Sequence, residues 1–324
     1  MRHASRPAVA PWILAAAALG LFVVWSNSFI AIGYLLGADR SASRFDWVGL
    51  TVARFLPAAA ICCVYCFGFR RKESLAILRI HWPRLAVCAV LSVPGYNLAL
   101  YYGQQHGVPA PVASLTTALL PLFVMLLAAA TLGEPLTRRR VTGFLVAAGG
   151  MALIATAQRG ETGTAYPLLI LVTALAPLSW SLYSVVSKPV TGRIPSLLWT
   201  HLSITLGGAA VAPLLPAHAW ASWTRLDAPG WFALLYLSIP CTVIGFALWT
   251  WLLKHLPAAT VGFTVFLNPP LTTVSKVALA ALVPSVFVFS VSGREMAGGS
   301  IALLGLAVAV FGRPRRRARK KGRR

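Results

Sequence analysis

Between Leu85 and Gly133 the chain carries no formally charged residue. A bilayer-crossing helix needs about 20 apolar residues, so this stretch is too long for one crossing and must fold as two. The turn between them reads Gly103-Gln104-Gln105-His106-Gly107-Val108-Pro109, with glycine and proline punctuating it as in a tight helical hairpin. The whole chain has the same character. It is 58% hydrophobic and 11% charged, whereas a soluble domain carries about 25% charged residues. Such a chain cannot cover a globule with polar surface, so lipid is its solvent.

Apolar runs give ten spans, near 11–33, 47–68, 83–103, 110–133, 141–158, 166–187, 196–217, 230–253, 257–281 and 297–312. The first follows two arginines, as a signal peptide does. It runs past Trp25 to about Leu36 without a cleavage site, so it reads as a retained helix. A net charge of +22 would ordinarily raise nucleic acid as a partner. Here the basic residues stand at the ends of apolar runs, where they set topology instead. With both termini cytoplasmic, 22 Lys and Arg lie inside and six outside, and Arg54 falls within a span. Without the tail from Arg313 the ratio is still 13 to 6.

Residues 99–121 align without a gap on 247–269, with seven of 23 positions identical, among them Thr116/Thr264, Leu119/Leu267 and Pro121/Pro269. Gly143-x5-Gly149 similarly matches Gly299-x5-Gly305. Five spans per repeat is an odd number, so the second copy enters the membrane upside down, and inverted repeats enclose a site near the midplane. The expected fold is therefore an all-α membrane protein with ten transmembrane helices as two inverted five-helix repeats. Its parts are 1–158, 163–312 and a basic cytoplasmic tail, 313–324. The tail should lie on anionic lipid, at about 1 kcal/mol per basic residue near the surface.

Several local patterns then fall in order: Trp25-Ser26-Asn27-Ser28-Phe29-Ile30-Ala31, Arg54-Phe55-Leu56-Pro57-Ala58-Ala59, Thr117-Ala118-Leu119-Leu120-Pro121, Leu132-Gly133-Glu134-Pro135-Leu136-Thr137 and Leu178-Ser179-Trp180-Ser181-Leu182-Tyr183. Over about 11–312 the chain resembles the drug/metabolite transporter superfamily, EamA type. The resemblance implies a carrier of the bacterial inner membrane, often an exporter of amino acids or other small metabolites. It also implies a central cavity lined by spans 1, 3, 4, 6, 8 and 9. The second half departs from the pattern: no acid stands where Glu134 stands in the first, and Glu295 follows Pro269 by 26 residues, with Lys276 and an apolar run between.

Candidate solute-binding residues follow from position. Pro121 and Pro269 sit inside spans, where proline cannot donate to the helix and frees the carbonyl four residues earlier. A helix broken at matching places in two repeats points to a binding site, although a packing kink needs the same residue. Asn27, Asn97, Thr117, Thr264 and Asn268 bring amides and hydroxyls into the cavity spans; such groups either bond a neighbouring helix or face a polar interior. Trp25, Tyr96, Tyr101, Trp180, Tyr183 and Trp249 are aromatic candidates for a cavity wall, with interface anchoring as the alternative near span ends. Arg54 is an intramembrane charge and so a functional candidate; snorkelling or a pair with Asp46 or Asp39 competes. Glu134, beside Arg138, Arg139 and Arg140, reads as a salt link fastening the cytoplasmic face.

Metal and cofactor chemistry find no basis in the pattern. Cys62, Cys63, Cys66, Cys88 and Cys241 lie in apolar segments without ligand partners, and the six histidines are scattered. All seven acids fall in loops or at span ends. Without a central carboxylate, the expected solute is neutral or zwitterionic and its export is gradient-driven or coupled through an unusual group. Multidrug or amphiphile efflux is the alternative; a membrane enzyme or sensor lacks its paired acids, nucleophile or soluble module. A homodimer is left open.

Overall fold

The computed structural model describes residues 9–37, 43–108, 113, 115–157, 166–214, 219–282 and 292–311. The tail from Arg313, Asp39 and the apolar run 283–291 lie outside the described residues, as does the Lys276 side chain. Every described element is helical, and no strand occurs among the described residues. That is what lipid demands, because each backbone N–H and C=O must be satisfied within its own segment.

Apart from a short helix at Ala219–Thr224, the helical runs are α1 (Pro11–Leu36), α2 (Trp47–Phe69), α3 (Arg71–Gln105), α4 (Thr117–Leu132), α5 (Arg138–Ala157), α6 (Tyr166–Thr191), α7 (Ser196–Leu214) and α8 (Ala228–His255). The last two are α9 (Ala258–Phe263, Thr264–Leu267 and Asn268–Leu282) and α10 (Gly293–Phe311). Of these, α1, α2, α3, α6, α7 and α8 are long and apolar enough to cross a membrane; α4 and the Met296–Val310 part of α10 are shorter apolar helices.

Three local features depart from the sequence reading. First, α3 begins at Arg71, well before the expected start of its span, and kinks at His81 (φ −120°, ψ 15°), two residues before Pro83. The basic segment read as a loop is thus helical. It leaves Ile80 and Trp82 exposed, as a helix lying along a membrane surface does. Second, the helices do not break at Pro121 and Pro269. Each tightens into a 3-10 turn, Thr117–Leu119 and Thr264–Leu267. The Thr117 carbonyl accepts from the Leu120 N–H, and the Val265 carbonyl from the Asn268 N–H, so a shorter-range bond takes up what proline would have freed. Third, Pro94 and Pro240 widen their helices into π turns, Leu91–Gly95 in α3 and Leu237–Ile244 in α8.

Antiparallel contacts relate the two halves. A side chain at Gly143 of α5 would stand 2.7 Å from the Gly305 carbonyl of α10, and one at Gly150 would stand 2.5 Å from the Gly298 carbonyl. Small residues therefore let these two backbones touch, and their order shows the helices running in opposite directions. The 3-10 turns of α4 and α9 also lie against each other.

One end of the bundle is tied by Arg44 and Asp227. The Arg44 Nη2 atom is 3.0 Å from Asp227 Oδ2, the Tyr34 hydroxyl donates to the same oxygen at 3.0 Å, and the Gly230 N–H donates to Asp227 Oδ1 at 3.0 Å. Asp227 thus caps α8 while holding the α1–α2 connection. The Arg44 guanidinium beside it, with smaller help from Tyr34 and the Gly230 amide, holds its carboxyl down to about 2.

Candidate functional site

A narrow cavity, partly open to the outside, lies among α1, α2, α3, α4, α6, α8 and α9. On α1 its wall is Trp25, Ser28, Phe29 and Ile32, which helical spacing places on one face. Tyr96 and Leu100 of α3, Thr117 and Leu120 of α4, and Val265 and Asn268 of α9 follow the same spacing. Trp180 of α6, Phe246 of α8 and Arg54 of α2 complete it.

Arg54 dominates the electrostatics. It is only 5% exposed. Its Nε donates to Thr242 Oγ1 at 2.8 Å, and its Nη1 donates to the Tyr101 hydroxyl at 2.6 Å and to Asn97 Oδ1 at 3.3 Å. All three acceptors are neutral, and no carboxylate pairs with it among the described residues. Two of the acceptors are themselves held by the π turns. Asn97 Nδ2 donates to the Ser92 and Val93 carbonyls at 3.2 and 2.8 Å, and the Thr242 hydroxyl donates to the Leu237 carbonyl at 2.8 Å. The two proline-widened turns thus build the cradle of a buried cation. Arginine stays protonated in proteins, and a buried charge without a counterion is costly. A carboxylate entering the cavity would form the strong, charge-assisted bond that neutral acceptors do not supply.

Aromatic rings form the floor. Trp180 packs edge-on to Phe246 at 4.6 Å and to Tyr96 at 5.4 Å, and Trp25 packs edge-on to Trp180 at 5.5 Å. The Trp25 indole donates to the Cys241 carbonyl at 2.9 Å; a side chain at Gly245 would collide with it. Below, Trp249 lies 5.5 Å from Trp25 and donates to Ser184 Oγ at 3.0 Å. Trp180 Nε1 and Asn268 Oδ1 are buried and have no hydrogen-bond partner among the described residues.

Beyond this floor, polar side chains tie the helix ends together. Glu134, at the end of α4, accepts from the Ala258 N–H at 2.6 Å and the Ala259 N–H at 3.2 Å, capping α9. Arg140 Nη1 lies 3.4 Å from Glu134 Oε2. Lys188 donates to the Leu253 and Leu256 carbonyls at the end of α8. Acid and base therefore clasp the two sides of the α8–α9 turn.

The sequence pattern of the EamA-like transporter family matches residues 11–156 and again 167–312. The chain belongs to the EamA-like transporter family. It is thus a multi-pass membrane transporter acting on a small-molecule solute within a lipid bilayer. Among its relatives is a protein of Streptantibioticus cattleyicolor named "Probable terminal-alkyne amino-acid exporter", 29% identical over 93% of this chain and 95% of that one. Another, from Salmonella typhimurium, is named "Probable amino-acid metabolite efflux pump" and is 26% identical over 77% and 88% of the two chains. A third, the "Aromatic amino acid exporter YddG" of Ancylobacter novellus, is 26% identical over 73% and 81%. A crystal structure 22% identical to the transporter, covering 93% of this chain and 98% of its own, superimposes with a TM-score of 0.68 and shares the fold.

Of the sequence-predicted residues, Trp25, Tyr96, Thr117, Trp180 and Asn268 line the cavity of the transporter. Asn97 and Tyr101 stand behind it and hold Arg54. Trp249 and Tyr183 form the layer beneath, against Trp25 and Trp180. Thr264 donates back to its own helix at Val261, and Asn27 to Val23, and neither is in the wall. Pro121 and Pro269 shape the 3-10 turns without lining the cavity. Arg54 neither snorkels nor pairs with Asp46, which caps α2 through the Gly49 N–H. Thr242 is one of the polar residues that the sequence places within spans, but its role in holding Arg54 is visible only in the fold; the signal for the π turns is a proline at similar depth in the third and eighth spans, Pro94 and Pro240.

Proposed function

We propose that the transporter exports small zwitterionic metabolites, amino acids above all, across a bacterial inner membrane by alternating access. The observation that carries this reading is Arg54: a fixed cation, buried in an aromatic-walled cavity, with only neutral partners. It supplies what a solute carboxylate needs, while the rest of the wall offers aromatic faces, hydroxyls and an amide. The names of the relatives support the same solute class. No carboxylate stands at the centre of a span in the sequence, but Arg54 gives the cavity a cation for an anionic group, so a zwitterion is preferred over a neutral solute.

The proposed frame is ten crossings in two inverted repeats, 1–158 and 163–312, with both termini cytoplasmic. The antiparallel pairs α5/α10 and α4/α9 and the twofold family match support it. The Glu134 end is then cytoplasmic, and the cavity lies in the half toward the Arg44 end, an outward-facing state. The basic tail 313–324 is proposed to rest on anionic lipid.

The test is uptake of radiolabelled L-amino acids into inverted membrane vesicles from cells expressing the transporter. Saturable uptake that is lost in Arg54→Gln supports the reading. Because aromatic walls also suit flat amphiphiles, a panel of amphiphilic toxins belongs in the same assay, and transport of these alone, insensitive to Arg54, would favour multidrug efflux.

A further inference from the structure

We infer that Asn268 is the ammonium subsite of the cavity and makes the transporter selective for a free α-amine; this rests on the proposed amino-acid reading. Asn268 is the first residue of the α9 segment that follows the 3-10 turn, and it is 4% exposed. It lines the same cavity as Arg54. Its Oδ1 accepts no hydrogen bond from any of the described residues. A buried amide oxygen without a donor has lost its water and gained nothing in exchange, a cost that a solute N–H removes on binding.

The surroundings fit a cation rather than a neutral donor. No basic side chain other than Arg54 lines the cavity among the described residues, so an ammonium would meet only that one like charge. Trp25, Tyr96, Trp180 and Phe246 turn ring surface into the same space, and aromatic faces attract ammonium groups. Arg54 and Asn268 come from different halves of the chain, α2 and α9, so each half supplies one pole of the site. A carboxylate on Arg54 and an ammonium on Asn268 orient the zwitterion and leave its side chain to the aromatic wall. A site built to pair a polar group rejects the analogue that lacks it, because its own group is then left unpaired.

The test uses the quenching of tryptophan fluorescence in the purified, detergent-solubilised full chain, since Trp25 and Trp180 line the cavity. Each member of a panel of L-amino acids is titrated against its des-amino acid, such as L-phenylalanine against 3-phenylpropionate. The wild type should bind the amino acid at least about tenfold more tightly. Asn268→Leu should abolish that preference by weakening the amino acid alone, and Asn268→Asp should increase it. Two results overturn the inference while leaving the Arg54 reading in place: equal binding of the pair by the wild type, or an unchanged preference in Asn268→Leu. If Asn268→Leu fails to fold, Asn268→Asp decides alone, and an unchanged or smaller preference counts against the inference. If no amino acid of the panel binds, the amino-acid reading fails and this inference with it.

Discussion

Arg54 is the residue on which solute choice turns. Replacing it with glutamine keeps polarity and approximate length but removes the charge, so a charge-assisted bond of about 1.5–3 kcal/mol to a carboxylate is lost. Apparent affinity for an amino acid should fall about 10- to 100-fold in Arg54→Gln, read as a rise in KM for transport, and Arg54→Lys should fall between. Asp227 gives a second expectation. Its carboxyl titrates near 2, below the ordinary 3.8, chiefly because Arg44 donates to it. A depressed acid contributes stability above its unfolded pKa and loses it as pH falls through the folded value. The stability difference between wild type and Asp227→Asn, measured by thermal unfolding, should therefore stay constant from pH 8 to 5 and shrink only between about pH 4 and 2. A difference already gone at pH 5 would contradict the assignment. In the sequence, Arg54 was legible as a charge within a span but not as part of the cavity wall. Depth along a helix can be read from one segment; the partner that fixes the guanidinium, Thr242, is 188 residues away.

Individual helices show how proline acts once tertiary packing is in place. The positions of Pro121 and Pro269 told where the helices change, but not how. A break, a 3-10 turn and a π turn all answer a missing N–H, and the last two both occur here. The clasp at the α8–α9 turn was partly legible: Glu134 beside three arginines pointed to a salt link, and Arg140 makes it. Its capping of Ala258 and Ala259 was hidden, because it joins residues 124 and 125 positions apart. Glu134→Gln should loosen this end. Hydrogen exchange of the amides of Ala258 and Ala259 should rise about tenfold or more while α5 and α10 stay unchanged; unaltered exchange would show that the cap holds nothing closed. The α5/α10 contact gives a stability test. Gly150→Val pushes a side chain into the α10 backbone at Gly298 and should cost about 1–3 kcal/mol, seen as a lower Tm in detergent, whereas Gly20→Val, where a side chain meets open space, should leave Tm near the wild-type value.

At the scale of the molecule, the proposed cycle needs two events. The Glu134–Lys188 clasp must release, and the Arg44–Asp227 end must draw together around the occupied cavity. The two ends are built differently, an acid capping a helix hairpin at one and an arginine–aspartate pair at the other, so the gates need not open alike. The composition made a membrane protein legible at once; the antiparallel contacts of α5 with α10 and of α4 with α9 add a geometry that no single segment contains. The central claim is that a solute carboxylate docks on Arg54. Counterflow in proteoliposomes tests it most directly: vesicles preloaded with an unlabelled L-amino acid and given a trace of the labelled one outside. The expected result is transient accumulation of label by the wild type, competed by other amino acids and lost in Arg54→Gln. Accumulation that persists undiminished in Arg54→Gln, or that only uncharged amphiphiles compete, would contradict the claim.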